Sequence, residues 1–422
     1  MVKKAFFRAN IPFSFDNKII EDNEFFNLTV NKGWEIFDVE GDFLLKHINT
    51  TFEKNVVALR KQCDGLTFTL PFCDTSEGTE TKTYLFEISE MDIFCFSTGI
   101  GIISMYIPYT DAEANALVNT CSVLRCCAQH KDPSQGRCVY KNDEETYLSV
   151  LAENELDLIF GKDCSLFNHF NENTLRRIDM FSAVLLDENE NQDEYDKICY
   201  RLANAFDNRD KDIKINPKDF YRQQEYTRWS FSKRGCSAVA NLTGLNITDS
   251  FLENRWFVSV NTNYFYLYIM VLHQKYAIYN YLNEVAIDSD KNYVKLNQES
   301  LIEFNSKYIF SIVSDEHFIQ SVYLRMKEVN NVDEVYEDLQ DELKRLFEYS
   351  QLENDKNTEM RNSRLNIISI FISILCSVPI IFETFNMFSD KRSLLCISTI
   401  AIEILLILTA LTSIFIITKR KK

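Results

Sequence analysis

Glycine and proline are scarce, 10 and 6 in 422 residues, so long flexible linkers and disorder are not the default reading. Catalytic signatures are missing. The sequence has no phosphate-binding glycine loop, GxSxG elbow or HExxH, and Gly99-Ile100-Gly101 is too short for a nucleotide fingerprint. Enzymatic chemistry and a resident cofactor are therefore not expected. Basic residues are outnumbered, 45 Lys and Arg against 62 Asp and Glu, for a net charge of -17. Such an acidic chain repels phosphate backbones, which excludes nucleic acid as an expected partner. The segment MVKKAFFRANIPF lacks a continuous apolar core and a small-residue cleavage site, so no secretory signal is expected. The 12 cysteines form no disulfide framework and are read as reduced thiols. The glycosylation-type sequons at Asn27, Asn49, Asn241 and Asn246 then carry no weight. Cys121, Cys126, Cys127, His130 and Cys138 cluster, but without the paired CxxC spacing of a zinc site.

What the chain does have is aromatic and apolar mass. With 33 Phe and 20 Tyr, the residues ahead of the C-terminal apolar runs can bury more than one ordinary core. KAFFRANIPFSF, GLTFTLPFC and the long run from Lys82 to Tyr109 read as strands, and DAEANALVNTCSVLRCCAQH as a helix. Gly99 and Gly101 serve curvature or a bulge. EETYLSVLAENELDLIF is helical, and strand, acidic turn and helix recur over residues 176–206. This weak repeat of the order seen over 93–130 predicts an α+β domain spanning 1–290.

The next part is helical. Residues 264–286 are apolar and aromatic, but His273, Gln274 and Lys275 interrupt them too early for a membrane span, so a buried core helix is expected. A stalk follows over 291–364, with a possible break at Asn330-Asn331. Val332, Val335, Leu339, Leu343 and Leu346 recur every three or four residues, a narrow amphipathic seam. No Pro or Gly lies between Val332 and Val378, so one helix can continue through this stretch.

Two apolar runs end the sequence. Leu365–Phe382 is 18 residues without a charge, and Leu394–Thr418 is 25 with only Glu403 charged. At about 1.5 Å per residue the shorter covers roughly 27 Å, the thickness of a bilayer core. Both are expected to span a membrane, as a hairpin over 365–418 turning at Glu383–Ser393. Lys356, Arg361 and Arg364 before it and the basic tail 419–422 after it outweigh Lys391 and Arg392 in the turn, which places both termini in the cytoplasm.

The first run carries a polar stripe. At about 100° per residue, Asn362, Asn366, Ser369, Ser373, Cys376, Ser377 and Thr384 share one sector, opposite Ile368, Phe371, Ile372 and Leu375. Such residues can bond neighbouring helices, but a stripe of this length suits a water-filled path. Pro379 is expected to kink the helix near its outer end. Glu383 would form a carboxylate ring at the outer mouth of an oligomer, or else pair with Lys391 or Arg392; Glu403 suits a bond to a neighbouring helix.

In layout the chain resembles the CorA-type magnesium transporters. The stretch from Glu359 through Pro379 is similar to that family's stalk-to-membrane junction. The family's Gly-Met-Asn signature, however, is replaced by Phe385-Asn386-Met387. The resemblance implies an α+β cytoplasmic domain, a long stalk helix and two C-terminal transmembrane helices. It further implies a homo-oligomer, a pentamer, embedded in the lipid bilayer and passing a divalent cation such as Mg2+, which also acts as a regulatory ion. Asn362, Asn366, Ser369, Ser373, Ser377 and Thr384 would line the path, and Glu383, Asn386 and Met387 would sit at its outer mouth. CorA-like proteins also accompany some CRISPR defence systems as ligand-gated effectors, an alternative that the lost signature fits. A non-conducting, hairpin-anchored sensor or scaffold is a third reading.

Overall fold

The computed structural model describes residues 2–21, 25, 29–73, 81–125, 139–142, 144–161, 164–166, 178–186, 192–206, 213–223, 226–233, 235–241, 249–287 and 291–390. The chain divides into two compact units, one of residues 1–288 and 296–340 and a second of residues 289–295 and 341–422. The first unit thus includes residues 296–340, which the sequence reading gives to the stalk.

The first unit is α+β, built on a large mixed sheet. Its strands are β1 (Val2–Phe15), β2 (Glu35–Ile36), β3 (Val56–Cys73), β4 (Thr81–Phe96), β5 (Ile100–Ala112), β6 (Val139–Lys141), β7 (Glu144–Thr146), β8 (Cys164–Leu166), β9 (Asp179–Leu186), β10 (Phe220–Gln223), β11 (Thr227–Ser232) and β12 (Gly235–Ala240). Their order is β10-β11-β12-β9-β1-β5-β4-β3-β6-β7, with β2 added on β3 and β8 on β1. Pairing is antiparallel except between β12 and β9. A parallel neighbour requires a crossover, and the helix α4 within residues 187–234 supplies it.

The helices are α1 (Lys46–Asn55), α2 (Ala114–Leu124), α3 (Leu148–Phe160), α4 (Gln192–Asn204), α5 (Asp249–Ser259), α6 (Phe265–Ile287), α7 (Lys291–Tyr308), α8 (His317–Val329) and α9 (Val332–Asp390). Phe7, Ala9, Ile11 and Phe13 of β1 share a core with Leu117 and Val118 of α2, Leu156 of α3 and Cys199 of α4. Phe6, on the opposite face, meets Phe257 of α5 edge to face, and Phe181 of β9 meets Phe265 of α6. Because helices cover both faces, β1 is buried along nearly its whole length and its hydrophobic pattern is a run rather than an alternation. Pro12 falls between the ladder to β9, which ends at Asn10, and that to β8, which begins at Phe13. A missing donor on that side breaks no ladder.

The two glycines of the β4–β5 region have separate duties. Gly99 turns the hairpin at φ +78, while a Cβ on Gly101 would lie 2.1 Å from the ring of Phe13. Gly101 is the seat of an aromatic ring paired across from it.

α6 is the buried core helix anticipated from its sequence, enclosed from Tyr264 to Ile278. A single π-turn, Val260–Tyr264, joins it to α5. α8 stops at the expected Asn330-Asn331 corner, where Asn331 adopts φ 54. α9 then runs 59 residues without interruption, through Pro379 and eight residues beyond Phe382, where the apolar run ends. Within it Val332, Leu339 and Leu343 are buried, Val335 and Leu346 half-buried, and Tyr336 joins the seam.

Candidate functional site

Two arrangements carry polar groups where apolar ones would be expected. The first is the stripe on α9. Asn362, Asn366, Ser369 and Ser373 are exposed, and so are Leu365, Ile368 and Ile372 around the same turns. The Ser373 hydroxyl donates to the Ser369 carbonyl at 2.9 Å, meeting its donor need inside the helix. Cys376, Ser377, Glu383, Thr384, Asn386 and Met387 lie on the backbone of α9, with side chains outside the described residues. Because α9 continues to Asp390, helical spacing fixes their angular positions. Met387 falls inside the sector of the stripe, Glu383 roughly 20° beyond its edge and Asn386 roughly 80° beyond. The second apolar run, Leu394–Thr418, with Glu403 and the basic tail, lies outside the described residues. Among the described residues no helix is long and apolar enough to cross a membrane.

The second arrangement crosses the body. Register aligns Arg60 of β3 with Asp92 of β4, Asp92 with Ser104 of β5, Ser104 with Asn10 of β1, and Asn10 with Asp179 of β9. One polar row therefore runs transversely over five neighbouring strands. Arg8, two residues from Asn10 and on the same face, anchors one end. Its Nη1 donates to Asp92 Oδ2 at 2.8 Å, its Nη2 to Glu90 Oε1 at 3.3 Å and its Nε to Asn261 Oδ1 at 2.7 Å. The guanidinium also lies 4.2 Å from the ring centre of Phe265 and 4.9 Å from that of Tyr106. Arg60 completes the cluster with Nε 2.7 Å from Asp92 Oδ1, and these carboxylates raise its pKa against the lowering effect of burial. The π-turn presents Asn261 to Arg8 and Asn263 to the Phe43 amide, which it accepts at 3.1 Å.

At the other end of the row Asp179 receives the Tyr276 hydroxyl on Oδ2 at 2.5 Å, with Lys275 Nζ 3.7 Å from Oδ1. Lys275 Nζ donates to the Lys233 carbonyl at 2.7 Å. Burial pushes the Tyr276 and Tyr268 phenols well above their usual range. The interrupting triplet of α6 is thus fully enclosed. His273 stacks on Phe96 at 3.8 Å and meets Thr98 Oγ1 through Nε2 at 2.8 Å, while burial drives its pKa well down. Gln274 donates to the Tyr308 carbonyl at 2.5 Å.

This row is absent from the expectations drawn from sequence, although a signal existed. Each strand that supplies it is an apolar run broken near its middle, as in AFFRANIPF, EMDIF, IISMY and IDMF. A polar residue recurring at the centre of successive buried strands marks a shared level across a sheet. For metals, no group of three or more His, Cys, Asp or Glu is placed to hold an ion among the described residues. Cys126, Cys127, His130 and Cys138 lie outside them; Cys121 is buried, its Sγ 3.5 Å from the Leu202 carbonyl.

No family model, curated protein or solved structure matches the chain.

Proposed function

We propose that the chain is one subunit of a CorA-like, homo-oligomeric membrane channel, a pentamer, in which the α+β body controls a cation path lined by α9. The observation that carries this reading is the continuity of α9. One unbroken helix bears the buried seam of Val332, Leu339 and Leu343 near its start and the stripe of Asn362, Asn366, Ser369 and Ser373 further on. A rotation or tilt imposed on the first segment is transmitted to the second, since a helix without a break resists bending over a few turns. The exposed polar and apolar faces of residues 362–373 match a helix that has water on one side and lipid or partner helices on the other. The net charge of -17 favours cations, divalent ones included, near the cytoplasmic side.

The test is flux. Ser373→Leu combined with Ser377→Leu is expected to abolish cation flux into liposomes while leaving oligomer size unchanged, because an apolar constriction dewets. Unchanged flux in an assembled double variant would assign the stripe to helix contacts and the chain to a scaffold.

A further inference from the structure

The interface between α6 and the sheet holds polar atoms with no protein partner on both of its sides. On the sheet these are Asn10 Oδ1 and Ser104 Oγ, while Asp179 Oδ1 makes no hydrogen bond and has only the distant Lys275 ammonium. On α6 they are the Tyr268 hydroxyl, His273 Nδ1 and Gln274 Oε1. All six residues are at least 99% buried. The Asn10 amide cannot be turned to relieve this, since its Nδ2 already donates to the Arg8 and Asp179 carbonyls at 3.0 and 2.8 Å. Elsewhere the same sheet is sealed by rings and aliphatic chains, as at Phe94, Phe181 and Phe265.

A buried group without a partner regains hydration when its surroundings open, so each one lowers the free-energy difference between closed and wetted states. Six of them on one plane single that plane out. We propose that water enters the seam between α6 and the sheet, and that α6 lifts from the sheet as a unit at lower free energy than the body unfolds. The polar row is then the cleavage plane of the body. Its opposite face, packed by α2, α3 and α4, stays closed in that event, because its core there is a continuous apolar cluster.

Two native cysteines report on the two faces. Cys236 of β12 pairs in register with Phe181, whose ring lies 5.3 Å from Tyr268, so it sits on the α6 side. Cys199 lies on the α4 side, with Sγ 3.4 Å from the Arg228 carbonyl. Both are buried. The purified full-length chain is treated with a small thiol reagent without denaturant, and modification at each cysteine is followed by peptide mass spectrometry. Cys236 is expected to react about ten-fold or more faster than Cys199, with a shallower dependence on added urea. Tyr268→Phe and Ser104→Ala each delete an unpartnered hydroxyl and should slow Cys236 several-fold while leaving Cys199 unchanged. Equal rates with equal urea dependence would show that the seam opens only on global unfolding and overturn the proposal. A fast Cys236 indifferent to both variants would overturn its cause.

Discussion

Arg8 shows what a single residue commits the body to. It is 1% exposed and Asp92 is fully buried, so neither charge has water to fall back on. Removing one partner strands the other, and Asp92→Ala should destabilise the body by about 3–5 kcal/mol in urea unfolding. Arg8→Met with Asp92→Leu removes both charges and should cost far less than Asp92→Ala alone, which a double-mutant comparison checks. His273 adds a pH term of definite sign. Its pKa in the folded body lies well below the usual 6.5, so below that pH the unfolded chain binds a proton that the folded one does not. Stability is unaffected above about pH 6.5 and falls as pH drops below it, by at most about 1.4 kcal/mol per pH unit. Thermal midpoints of the wild type should decline from pH 7 to 5 by more than those of His273→Gln, after other titrations common to both are subtracted.

At the scale of the element, α9 decides between two ideas of the outer mouth. The continuous helix sets Glu383 next to the stripe and Asn386 well away from it. Glu383→Gln is therefore expected to reduce divalent-cation flux in liposomes more than Asn386→Ala does at equal incorporation; the reverse order would return the role to the asparagine. Helices were the legible part of this chain. The core helix α6, the corner at Asn330-Asn331 and the seam from Val332 follow from periodicity and turn chemistry acting within one segment. The α+β class also follows from the alternation of segments. Strand neighbours do not, because register between β1 and β9 depends on residues some 170 positions apart in sequence. The polar row belongs to that second kind of information. It exists only once five strands are aligned, and each of its members taken singly resembles an ordinary interruption of a strand.

For the whole molecule, the basic flanks make a topological claim that is independent of any pore. A cysteine-reactive impermeant label applied to intact cells should reach Ser389→Cys in a cysteine-free background and miss a cysteine placed after Lys422. Labelling of the latter from outside would reverse the orientation and with it the expected cytoplasmic position of the body. Mass measurement in detergent separates the pentamer from a monomeric anchored scaffold at the same time.

The place of β1 in the sheet also has a bearing on biosynthesis. Val2–Phe15 is held between β5 and β9, so its second neighbour has not been made until Leu186 has left the ribosome. Until then one edge of β1, rich in phenylalanine, has no native strand to pair with, and an edge of that kind recruits other chains. Slow, non-local closure is the rate-setting event for such a topology. Nascent chains stalled before Asp179 should consequently depend on chaperones, and those stalled after Ala240, once β12 has covered β9, should be resistant to protease across Val2–Phe15.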